Sequence, residues 1–114
     1  AAIAGAKLPN GYVPDGEEMT AAIKGQMPSR SRPLFWEYGR NNASFAYPKD
    51  AKHRSPNVAV RDGQWKLLVN ADGRSAELFD LTADSKEEKN LAAEKPDVVE
   101  QLTRVAINWR KSVP

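Results

Sequence analysis

Not one cysteine occurs among the 114 residues, which excludes disulfides, a thiol nucleophile and cysteine-based metal sites. The compartment stays open, because cysteine-free domains occur inside and outside cells. No apolar run approaches the roughly 18 residues that span a bilayer, so no membrane segment is expected. There is a single histidine, and charge of one sign is nearly absent as an excess: 17 Lys and Arg stand against 15 Asp and Glu, a net charge of +2. The sequence pI near 9.0 reflects that small surplus and not a basic surface. Nucleic-acid binders cluster their cations, whereas here cations alternate with acids, as in "DSKEEKN" and "RDGQWK"; no nucleic acid is expected as a partner. What is present, 40% hydrophobic and 28% charged residues, suits a globular chain of one-domain size.

The opening "AAIAGAKLP" is too short and lacks the basic segment of a signal peptide. It reads as the last turn of a helix with Gly5 as its C′ residue, as if cut from within a longer chain. "LPNGYVPDG" holds two prolines and two glycines and reads as loop. Asp15 then offers an N-cap, with Glu18 completing a capping box for a short helix over "EEMTAAIKG" that Gly25 stops. Residues 1–33 thus form a lead-in segment with a short helix, and residues 34–114 the main α+β body, one domain in all.

"PLFWEY" has the aromatic content of a strand, with Pro33 at its start. In "NVAVRDGQWKLLVN", Asp62-Gly63 between two β-rich runs is a strong hairpin signal. A turn on those two residues pairs Arg61 with Gln64, Val60 with Trp65 and Val58 with Leu67. One face then carries Val58, Val60, Trp65, Leu67 and Val69; the other carries Ala59, Arg61, Lys66 and Leu68. "NADGRS" turns into the strand "AELFDL", giving four strands in a largely antiparallel sheet. Ser85 and Glu88 offer a second capping box ahead of "EKNLAAEK". Pro96 suits N1 of a final helix in which Val98, Leu102, Val105, Ala106 and Trp109 share one side. The expected fold is α+β, a four-stranded sheet packed against a C-terminal helix.

Four stretches in order, "LPNGYVPDG", "RPLFWEYG", "NVAVRDGQWKLLVN" and "AELFDLTADSKEEKNLAAEKPDVVEQL", resemble the C-terminal region of type I, formylglycine-dependent sulfatases. "RSPNVAVRDG" is similar to bacterial members acting on sulfated sugars, arylsulfatase-like and N-acetylgalactosamine-6-sulfatase-like ones among them. The resemblance implies a parent enzyme that hydrolyses sulfate esters, with calcium or another divalent cation and formylglycine in an N-terminal catalytic domain that would be the partner of this segment. It also implies a periplasmic or secreted location. The family makes its formylglycine from Cys or Ser in C/S-x-P-S/A-R. Here "QMPSR" puts Gln26 where that residue must stand, and an amide cannot be oxidised to the aldehyde, so the segment alone is expected to be inactive.

Candidate substrate-binding residues cluster around the polar stretch 39–56, because a long ordered loop in a small domain is often functional. His53 and Arg54 suit a sulfate or sugar hydroxyl, against the plainer reading of solvated loop residues. Arg40 has planar donors for an anion, and Glu37, Tyr38 and Asn41 flank it. No catalytic residue and no metal ligand is assigned. Two other roles remain open: a stand-alone module that binds sulfated glycans through Arg40, His53 and Arg54, and self-association through an exposed apolar face.

Overall fold

The computed structural model describes residues 4–14, 16–26, 28–39, 48, 50 and 53–113. It divides into two compact units, Ala1–Arg32 and Pro33–Pro114. In the first, helix α1 is a single turn, Thr20–Ile23. It starts later than the sequence pattern suggests; Asp15, the expected cap, lies outside the described residues. Glu17 is drawn away from the helix by Ser31, whose N–H and hydroxyl donate to Oε1 at 2.8 and 2.5 Å, and by Arg30 at 3.3 Å. Glu18 serves the helix end instead, its Oε1 accepting the Thr20 N–H at 2.9 Å. The end follows expectation: with Gly25 at φ 81, its N–H reaches Ala22 O and the Gln26 N–H reaches Ala21 O, the two bonds of a Schellman motif. Gly5, at φ 64, is likewise left-handed.

The second unit is a meander of strands β1 (Leu34–Glu37), β2 (Val58–Asp62), β3 (Trp65–Val69) and β4 (Glu77–Asp80), followed by helix α2 (Pro96–Ser112). The strands pair in chain order, every pair antiparallel. The β2–β3 register differs from the expected one. Asp62 belongs to the ladder opposite Trp65, Val60 faces Leu67 and Val58 faces Val69, so the two-residue turn is Gly63-Gln64. Gly63 has φ 55, whereas Gln64 is not among the described residues of positive φ. A hairpin turn with a positive φ only at its first position is type II′, and that position wants glycine. Because the pairing moves by two residues, the side-chain parity survives. Val58, Val60, Leu67 and Val69 are completely buried on one face, with Trp65 packed against them.

Helix α2 covers that face. Pro96 stands at N1 and Asp97 in the first turn, while Arg110 and Lys111 lie in the last, each matching the helix dipole. Leu102 and Ala106 are buried in the core; Val98, Val105 and Trp109 pack around them. Phe35 from β1 stacks on Trp109, ring centres 5.0 Å apart and planes 8° from parallel.

The expected helix over "EKNLAAEK" does not form; residues 81–95 are a chain of turns. Side chains compete for the backbone here. Asp80 Oδ1 accepts the N–H groups of Thr82 and Ala83, Asp84 Oδ2 accepts that of Lys89, and Glu87 adopts φ 59. Asn90 Oδ1 then accepts the Leu78 N–H at 3.1 Å, and the Leu91 N–H donates to Leu78 O at 2.7 Å.

The amides of Lys89 and Glu88, above all, hold the Asp84 carboxyl below its usual range. A depressed carboxylate contributes stability that is present above its unfolded value, 3.8, and is lost as pH falls through the folded one. Acidification below about pH 4 is therefore expected to lower the protection of the Lys89 amide against exchange, relative to an unstructured peptide at the same pH. Asp84→Asn should show the lower protection already at neutral pH and lose the acid dependence, as NMR-detected exchange would show.

Candidate functional site

The end of β1 and the chain entering β2 lie side by side because Glu37 pairs with Val58. The ladder runs one step further: the Tyr38 N–H donates to Asn57 O at 3.1 Å. The Tyr38 hydroxyl donates to Ser55 O at 2.9 Å and also meets the Ser55 hydroxyl. This clasp holds the two ends of the 39–56 stretch together. Of the candidate residues named from sequence, Tyr38 is thus joined to Ser55, the residue that follows His53 and Arg54 in the chain.

His53 and Arg54 are exposed. The His53 N–H donates to Asp50 O at 3.1 Å, and Arg54 Nε donates to Pro48 O at 2.8 Å. Arg40 and Asn41 lie outside the described residues. Glu37 sits apart from the others because strand parity turns it to the α2 side. Its nearly buried carboxylate, 6% exposed, accepts a hydrogen bond from Arg110 Nε at 2.7 Å.

That pair ties β1 to the last turn of α2. Glu37→Gln is expected to lower stability by about 1–2 kcal/mol, read as a shifted urea midpoint. Arg110→Gln in the same background should then cost little further.

On the opposite face, Trp36, Tyr38, Ser55, Ala59, Arg61, Lys66, Leu68, Leu81 and Glu87 line an open groove of about 670 Å³. Lys66 Nζ is held by Glu87 at 2.6 Å, and Asp80 accepts from Gln64 Nε2 at 2.8 Å. The turn that delivers Glu87, itself at φ 59, leaves no local signal in the sequence. Trp36 is 46% exposed.

Within "QMPSR", Gln26 belongs to the helix stop and Arg30 pairs with Glu17. Among the described residues no group of three or more His, Asp or Glu side chains could hold a metal ion.

No family model matches the chain. N-acetylgalactosamine-6-O-sulfatase of Bacteroides thetaiotaomicron is 28% identical over 98 residues, 86% of this chain and 19% of that protein. Choline-sulfatase of Rhizobium meliloti is 35% identical over 92 residues, 81% of this chain and 15% of that protein. The chain is homologous to sulfatases. Arylsulfatase K of Mus musculus adds a shorter match, 40% identical over 57 residues, 46% of this chain and 10% of that protein. The sulfatase-like chain thus spans between 10% and 19% of the length of these relatives, a minority share consistent with a C-terminal region. The α+β sheet-and-helix fold expected from the sequence pattern is the one observed.

Proposed function

We propose that this chain is the C-terminal portion of a sulfate-ester hydrolase, and that it forms one wall of the substrate cleft. Residues 34–114 are its α+β body and residues 1–33 its lead-in. The observation that carries the reading is similarity to two bacterial sulfatases across 86% and 81% of the chain. In such an enzyme a formylglycine hydrate and a divalent cation supply the attack on sulfur, and both belong to the N-terminal catalytic domain. The residues here would bind and orient. Tyr38 and Ser55 clasp the base of the 39–56 stretch, and His53 and Arg54 stand at its end as exposed donors for sulfate oxygens or sugar hydroxyls; Arg40 and Asn41 belong to the same stretch of sequence. Glu37, held by Arg110, supports the wall from behind. The name of the Bacteroides relative makes a sulfated carbohydrate the first substrate class, with choline sulfate as the comparator.

The test is sulfate release from an aryl sulfate, a 6-sulfated amino sugar and choline sulfate. The complete reading frame around these residues should turn over at least one of them. The isolated 114-residue chain should release none, and truncation before Ala1 should abolish activity. Activity of the isolated chain would overturn the reading. His53→Ala with Arg54→Ala should raise KM for the sugar sulfate more than for the aryl sulfate. Equal kinetics would remove the cleft-wall assignment.

A second reading, a sulfated-glycan-binding module, is favoured by one feature. An exposed indole and Arg61 share a groove, and aromatic faces with cations suit such ligands. Saturable binding of a sulfated oligosaccharide by the isolated chain would support it.

A further inference from the structure

The pairing pattern sorts every strand residue onto one of two faces. One face is the core under α2. On the other stand Leu34 and Trp36 of β1, Ala59 of β2, Leu68 of β3 and Phe79 of β4, with Arg61, Lys66 and Glu77 as the polar exceptions. An antiparallel sheet that turns one face to water alternates apolar with polar residues. Near-continuous apolar runs are the mark of strands covered on both sides. "LFW", "VAV", "LLV" and "LF" are such runs.

Part of this second face is already shielded: Ala59 and Phe79 are 9% and 7% exposed, and Lys66 is tied to Glu87 from the turn segment beyond β4. The β1–β2 side is open. There Trp36 is 46% exposed beside Tyr38 and Arg61. Tryptophan, tyrosine and arginine are the side chains that dominate binding energy in protein interfaces. Arg61 is exposed, and although its backbone belongs to the β2 ladder, its guanidinium has no side-chain hydrogen bond or ion pair among the described residues.

We infer that this face, centred on Trp36 and Arg61, docks against the remainder of a longer sulfatase chain, whose matching surface is apolar with a carboxylate for Arg61. The inference rests on the proposed sulfatase reading. The occupant follows from size and charge. The relatives are far longer than this chain, which spans at most 19% of them, so a body large enough to cover a sheet face belongs to the same polypeptide. An unneutralised guanidinium in a closing apolar interface requires an acidic partner.

Hydroxyl-radical footprinting of the full-length chain and of the 114-residue chain tests this. Oxidation of Trp36 is expected to be several-fold slower in the full-length chain, while Trp109, half-buried on the α2 face, is oxidised at the same rate in both. Leu68→Lys should leave the urea midpoint of the 114-residue chain near wild type and lower the melting temperature of the full-length chain. Equal Trp36 oxidation in both chains overturns the inference. So does protection of Trp36 that appears in the short chain as its concentration rises, which would make a second copy the occupant. Saturable binding of a sulfated oligosaccharide to the full-length chain that protects an otherwise reactive Trp36 overturns it in favour of a glycan. Sulfate release by the same full-length preparation is read separately. An active enzyme with a reactive Trp36 removes the docking face alone, and an inactive one with a protected Trp36 removes the sulfatase reading alone.

Discussion

Leu67→Ala is expected to cost the Pro33–Pro114 unit about 3–4 kcal/mol, the largest effect of any single truncation in the sheet. Leu67 lies mid-way along β3 between Val60 of β2 and Leu78 of β4, and all three are completely buried. Leu102 and Ala106 of α2 belong to the same cluster. Ala106 carries too little side chain to fill the space a shortened Leu67 would leave, so a cavity persists. Domains of this size are stable by only about 5–10 kcal/mol, and the loss should bring the urea midpoint down by a third or more. Leu68→Ala supplies the contrast. The neighbouring side chain points to the other face and is half-buried, so its truncation should cost about 1 kcal/mol or less. Equal losses for the two variants would contradict the assignment of faces.

The second large effect is expected at the aromatic stack. Trp109 fixes α2 against the edge strand through Phe35, with rings nearly parallel at 5.0 Å. Both rings are half-buried, so Trp109→Ala should cost about 2–3 kcal/mol, below the range for fully buried aromatics. A double-mutant cycle with Phe35→Ala isolates the pair. Coupling of about 0.5–1.5 kcal/mol is expected beyond the area each ring buries. The same cycle run between Trp109 and Leu68 should give no coupling, because those two side chains serve opposite faces.

Much of this architecture was legible in the sequence because parity and period are local. The hydrophobic face of the hairpin was readable although its turn was not. A two-residue change of register keeps every side chain on its side, and only the demand for glycine at the first turn position separates Asp62-Gly63 from Gly63-Gln64. Helix α2 was readable from Pro96 to Trp109 because its N1 proline, the first-turn Asp97 and its apolar stripe agree. The segment after β4 was not. Asp80, Asp84 and Asn90 are neutral in a helix pattern, and their capture of backbone N–H groups depends on β4 being in place.

At the candidate site the same distinction holds. Strand pairing brings Tyr38 to Ser55 and the segment bearing His53 and Arg54. Glu37 is turned away by the alternation that sends Phe35 to the core, a consequence that follows once Phe35 is taken as buried. Its partner Arg110 stands 73 positions along the chain, a separation no local pattern reports.

The Asn90 side chain and the Leu91 N–H occupy both polar groups of Leu78 on the far side of β4. They act as a stopper. A further strand, from a neighbouring molecule or from a growing fibril, finds no register there. Among the described residues, a strand that lengthened this sheet would have to pair beside β1, the other end of the strand order, which leaves one edge and not two to be guarded.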